Sequence, residues 1–429
     1  MQSCRVVQSD NIRNCILQGK HPQMDTSSKE NAATSLFREY LRIRTVHPEP
    51  DYDAAEKFLV RVAEDIGLKS RKLKMSSGRT IIIMTWPGTE PQLKSVILNS
   101  HIDVVPVDEE FWTYPPFEAH KDDSGNIYAR GTQDMKCVTI QYLEALRELK
   151  SKGFQFPRTI YLTLVPDEET GGHTAMELLV RQPEFEELNP GITLDEGLAS
   201  PTEEFSVFYG EKCPWWITVH CPGDPGHGSR FIENSAASKL HFVITKFLEF
   251  REKEKQKLES DPKLTLGDVT SVNLTKVSGG ISYNVVPSEM SATFDLRVPP
   301  TLNLKEFESQ IEGWCREAGS DVTWEYHQKC MNQNVTSTDD SYPWWKAFSS
   351  PCKELGLKLK PEIFPAGTDS RYIREVGYPA IGFSPINHTP ILLHDHNEYL
   401  NEDVFLRGIH IYTKIITSLA SVPAFDGEH

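Results

Sequence analysis

Apolar runs lead into most of a set of seven acidic and histidine side chains whose types could do chemistry together. His101 and Asp103 fall in Asn99-Ser100-His101-Ile102-Asp103, Asp134 in Gln133-Asp134-Met135-Lys136, and Glu168 and Glu169 in Asp167-Glu168-Glu169-Thr170. Asp195 in Leu194-Asp195-Glu196-Gly197 and His394 in Leu393-His394-Asp395 complete the set. Taken singly, each has a bland explanation. His101 could be a hydrogen-bonded core histidine, Glu168-Glu169 a solvated turn or helix cap, and Asp134 the cap of the helix that follows it. Gathered at one sheet edge, the carboxylates would repel one another unless they shared protons or cations. A pair of divalent cations accounts for the whole set.

Two imidazoles with several carboxylates suit zinc, with cobalt or manganese as substitutes. Two cations about 3.5 Å apart need a bridging carboxylate, and Asp134 is the central candidate. Asp103, two residues after His101, can take the imidazole N–H and fix the metal-binding tautomer. One of the adjacent glutamates can bind metal while the other faces the bridging water as general base. Spacing alone leaves open which does which.

The elements that must position these groups alternate between strand and helix. Thr80–Trp86 and Ser95–Ser100 read as strands, the second leading into His101. Residues 137–150 read as a helix, with Val138, Tyr142, Ala145, Leu146 and Leu149 on one stripe. Thr159–Val165 leads into Glu168, and Ile192–Leu194 ends at Asp195. Nearly all-apolar strands between helices predict an α/β fold, a mostly parallel sheet with helices on both faces. Functional groups of such sheets gather beyond the carboxyl ends of the strands.

Near residue 210 the rhythm changes to βαββαβ, from Trp215–Val219 to Asp321–His327, which predicts an inserted ferredoxin-like α+β domain. The expected organisation is a flexible extension over 1–30, a split catalytic domain over 31–209 and 331–429, and an inserted lid and dimerisation domain over 210–330.

Bulk properties narrow the function classes. Lysine and arginine total 45 against 61 acidic residues, a formal charge of −16, which disfavours nucleic acid as a partner. No apolar stretch approaches the roughly 20 residues that span a bilayer, so no membrane partner is expected. Eight scattered cysteines without a Cys-x-x-Cys pair read as free thiols in a reducing compartment, hence a cytoplasmic location.

From about Leu36 to Pro423 the chain resembles the co-catalytic zinc exopeptidases and deacylases, the family that includes acetylornithine deacetylase and glutamate carboxypeptidase. The metal motifs carry that resemblance. Leu41–Val46, Tyr128–Gly131, Gln133–Cys137, Pro157–Ile160 and Leu392–His396 look like its N-acyl-L-amino-acid amidohydrolases. The resemblance implies two zinc ions per subunit, one on His101, Asp134 and Asp195, the other on Asp134, Glu169 and His394. Glu168 would be the general base and Asp103 the residue orienting His101. It further implies a homodimer, in which His227 of Pro225-Gly226-His227 stabilises the oxyanion in the other subunit's site. Asn284 and Arg297 match lid positions that contact substrate, and Arg371 is a candidate to grip the substrate carboxylate in two-point fashion. The function implied is metal-dependent hydrolysis of N-acyl-L-amino acids. Alternatives are a dipeptidase or carboxypeptidase with the same metals, or an inactive binding protein.

Overall fold

The computed structural model describes residues 30–426 and Glu428. The expected N-terminal extension, with Cys4 and Cys15, lies outside the described residues save for Glu30. Eight strands form the main sheet: β1 (Lys69–Lys74), β2 (Thr80–Trp86), β3 (Ser95–His101), β4 (Ile160–Val165), β5 (Pro190–Asp195), β6 (Glu204–Glu211), and, after an excursion, β11 (Lys358–Phe364) and β12 (Ala380–Gly382). Their spatial order is β1-β2-β4-β3-β5-β12-β6-β11. The four central strands, β4-β3-β5-β12, run parallel. At one side β1 and β2 are antiparallel, because a turn as short as Met75–Arg79 can join only antiparallel neighbours.

Alternation along β2 shows both faces of the sheet covered. Ile82 and Met84 pack into the larger core with the helices α1 (Ala32–Leu41), α2 (Tyr52–Ile66) and α3 (Lys136–Ser151). Ile81 and Ile83 enter a second core with Met176, Phe185 and Ile373. A strand covered on both sides is buried along its whole length: all seven residues of β3 are buried, Val96–Leu98 as an apolar run and Ser95, Asn99 and Ser100 with their polar atoms hydrogen-bonded. The helix read at 137–150 spans Lys136–Ser151 with all five stripe residues buried. Because α3 begins two residues after Asp134, it pins that aspartate beside the ends of β3 and β5.

The excursion is βαββαβ: β7 (Cys213–Pro222), α4 (Ala236–Ser260), β8 (Ser271–Gly279), β9 (Glu289–Val298), α5 (Leu304–Ala318) and β10 (Thr323–Lys329). Its antiparallel sheet has the order β8-β9-β7-β10. Trp215, Phe247, Phe294 and Ile311 anchor its separate core, where Phe247 and Phe294 stack 4.0 Å apart. The opposite sheet face carries Thr218, His220, Thr293 and Glu325, as a period of two requires. The main sheet itself extends to Glu211 before the excursion begins.

Candidate metal centre

β3 ends at His101, whose imidazole is buried. Its Nε2 lies 2.9 Å from Asp134 Oδ1 and 3.5 Å from Glu196 Oε2. His394 Nε2 lies 3.3 Å from Asp134 Oδ2 and 3.0 Å from Glu169 Oε2. Asp134 thus presents one carboxylate oxygen to each imidazole. Two donor sets result, His101–Asp134–Glu196 and Asp134–Glu169–His394, each with its ligand atoms within 4.8 Å of one another.

At Asp195 the structure departs from the sequence expectation. Asp195 turns away from the imidazoles: its Oδ1 accepts from Asn99 Nδ2 at 3.1 Å, and its Oδ2 from Ser370 N–H at 3.0 Å and Ser370 Oγ at 2.7 Å. The next side chain, Glu196, enters the cluster instead. Successive side chains at a strand end point to opposite sides, so one phase step separates the two. Asp195 braces the turn at Thr368–Ser370.

Asp103 also works differently from the simple expectation. The nearer neighbour of His101 Nδ1 is the Asp103 backbone oxygen at 2.9 Å, with the carboxylate Oδ1 at 3.4 Å. The other carboxylate oxygen accepts the Glu169 N–H at 3.2 Å. One residue therefore steadies a histidine from the first set and a glutamate from the second. Glu398, missed in the sequence, holds the loop before α3: its buried carboxylate accepts from Gln133 N–H at 2.6 Å, Gly131 N–H at 3.1 Å and Arg130 Nη1 at 2.7 Å.

The electrostatics favour cations. Burial, followed by the charge of Asp134, pushes the Glu169 carboxyl up to about 7, although His394 opposes the shift. Burial and Glu196 push the Glu168 carboxyl well above its usual range. Glu196 rises likewise through burial and Asp134. Asp134 and Glu169 raise His394 to about 10. Glu169 Oε1 and Asp103 Oδ1 are buried and lack hydrogen-bond partners. Four crowded carboxylates around two imidazoles, with an unpartnered oxygen on a prospective ligand, fit two divalent cations.

Glu168 belongs to neither donor set but lines the same cleft, whose wall includes Leu198, Ala199, Phe364 and Leu393. Arg371 lies behind the Glu168–Glu169 turn and donates Nη2 to the Gly171 oxygen at 2.6 Å. The remaining expected residues lie on the excursion. His227 is exposed and pairs its Nδ1 with Ser229 Oγ at 2.8 Å. The Asn284 backbone oxygen receives the Gly228 N–H at 2.8 Å. Arg297 is held to Asp295 at 2.8 and 3.1 Å. Among the described residues, no hydrogen bond or ion pair joins these three to the cluster of the same chain.

Residues 97–418 match the peptidase family M20/M25/M40. Aminoacylase-1A of Rattus norvegicus is 60% identical over 399 residues, covering 93% of this chain and 98% of its own. Aminoacylase-1 of Homo sapiens is 58% identical over 400 residues, with the same coverage. Among solved structures, an M20 metallo-carboxypeptidase from Sulfolobus solfataricus superposes with a TM-score of 0.67 at 18% identity, over 91% of this chain and 99% of that one. A dinuclear metal-binding M20 peptidase from Bacillus subtilis gives 0.63 at 14% identity, over 91% and 98%. At such identities the two structures speak to fold alone. The sequence matches go further: the chain belongs to the M20/M25/M40 peptidase family, alongside the aminoacylase-1 proteins.

Proposed function

We propose that the protein hydrolyses the amide bond of N-acyl-L-amino acids, releasing a carboxylate and a free L-amino acid. The observation that carries this reading is the placement of Asp134 between His101 and His394, with Glu168 free in the same cleft. His101, Asp134 and Glu196 would hold one cation and Asp134, Glu169 and His394 the other, with zinc favoured by the nitrogen and oxygen donors. Such cations, when bound, supply Lewis acidity and a water of lowered pKa.

The chain's own groups do the rest. Glu168, which lines the cleft beside both donor sets and belongs to neither, suits a base that takes a proton from the attacking water. As the C–N bond breaks, the same carboxyl returns that proton to the leaving amine. The apolar wall of Leu198, Ala199, Phe364 and Leu393 matches an aliphatic acyl group or side chain and excludes water. Asn284, Arg297 and Arg371 are the groups we assign to substrate, an arginine being suited to its carboxylate. His227, exposed on its own chain, fits an oxyanion partner supplied to a second chain, so the working unit is a homodimer. A cytoplasmic location completes the proposal; no described helix is long and apolar enough to cross a membrane.

Comparing kcat/KM for N-acetyl-methionine and for unblocked dipeptides tests the substrate class. A clear preference for the acylated amino acid is expected. A preference for free dipeptides would replace this reading with a dipeptidase.

A further inference from the structure

Asp103 is a buried carboxylate on which both donor sets lean, and something must keep it in place. Its side chain is fully buried, and its Oδ1 has no hydrogen-bond partner. Its Oδ2 accepts the Glu169 N–H at 3.2 Å, a long bond, and lies only 2.8 Å from His47 Nε2. Resting on the function proposed above, we infer that His47 is a positioning residue for the metal centre: its Nε2–H fixes Asp103, and through Asp103 both His101 and the Glu169 backbone.

The placement of His47 is built rather than incidental. Val46 forms a parallel bridge with Val104, the residue next to Asp103. The His47 N–H donates to the Val104 oxygen at 3.2 Å, and the Val104 N–H donates to the Thr45 oxygen at 3.0 Å. Pro48 and Pro50 flank the segment with fixed φ, and the Asp51 N–H closes it onto the Arg44 oxygen at 2.9 Å. The imidazole is thereby held over a carboxylate that lies 56 residues away in sequence, with 12% of its own side chain exposed.

Without the His47 donor, Asp103 Oδ2 would keep one long backbone bond in a dry site, and the carboxylate would be free to turn. The Glu169 turn would lose its brace, and the His101 ring the carboxylate 3.4 Å away that backs its bond to the Asp103 backbone oxygen. Partners in this position typically change metal affinity or activity by about 10–100-fold.

The test compares His47→Leu, which fills the volume without a donor, with His47→Gln, which keeps an N–H. Zinc or cobalt affinity is measured by chelator competition, alongside kcat and KM for N-acetyl-methionine. For His47→Leu the expected result is about 10–100-fold weaker cation binding and a matching fall in kcat, with KM little changed; His47→Gln should recover most of both. If His47→Leu binds cations and turns over like the wild type, or if His47→Gln loses as much as His47→Leu, the inference is wrong. Should His47→Leu not fold, nitrogen NMR of the wild-type histidines decides: a proton on His47 Nε2 supports the role, and a bare Nε2 overturns it. A wild-type protein that binds no cation would instead remove the function proposed above, an outcome visible before any variant is made.

Discussion

Asp134 faces an imidazole with each of its oxygens, so the assignment of every other donor depends on which side chains reach those two histidines. Glu196 reaches His101; Asp195 is spent on Asn99 and Ser370. Removing the Glu196 charge in Glu196→Gln should therefore reduce tightly bound metal from two cations per chain towards one. Asp195→Asn should retain both while loosening the turn at Ser370. Elemental analysis of the dialysed proteins distinguishes them, and the opposite pattern would restore Asp195 as the ligand. The sequence brings two adjacent carboxylates to this strand end, but the choice between them depends on strand phase at its last residue, which composition and periodicity leave undetermined. His101 and Glu169 were legible because they end or follow apolar strands, and Asp134 and His394 because their chemical types complete a metal-binding set with them. His47 and Glu398 were not, since each acts through a partner distant in sequence and their local segments look like ordinary loops.

The elements deliver these residues through packing rather than local propensity. Strands β3, β4 and β5 are almost wholly buried because both faces of the sheet are covered, and apolar runs such as Val96–Leu98 within them made them readable. The antiparallel partners at the edge were not readable, because a strand's direction is set by how its connection closes. One connection is held at the far end of the chain. Arg158 is fully buried, donates to the Val422 oxygen at 2.6 Å and the Pro423 oxygen at 2.8 Å, and pairs with Glu428. Burial pushes the Glu428 carboxyl up, but Arg158 more than offsets it and holds the group below its ordinary value of 4.5. A depressed folded-state pKa means the stabilisation is present above pH 4.5 and fades as pH falls through the folded-state value. Glu428→Gln should then cost about 3 kcal/mol at neutral pH, as breaking a buried pair does. The gap from the wild type should narrow in acid. Urea unfolding at pH 7 and at pH 3 measures both, and a gap that widens in acid would contradict the assignment.

At the scale of the whole molecule, the cluster holds two donor sets, Glu168 and an apolar wall, while His227 stands exposed on the βαββαβ excursion. Phe231, Ile281 and Tyr283 around it are also exposed, an apolar surface of the kind a second subunit covers. If His227 serves the partner's site, mixing Glu168→Ala and His227→Ala chains should restore turnover that neither has alone. Random re-pairing would give about a quarter of the wild-type rate, since half the dimers would each carry one complete site. No gain in heterodimers isolated through a different affinity tag on each chain would place His227 elsewhere in the mechanism. The central claim, that the cluster holds cations and Glu168 moves the proton, is tested most directly on Glu168→Ala alone. Its bound metal and its rate on N-acetyl-methionine are measured on the same sample. The account predicts two cations per chain and turnover lower by about 100-fold or more; two cations with turnover at the wild-type rate would contradict it.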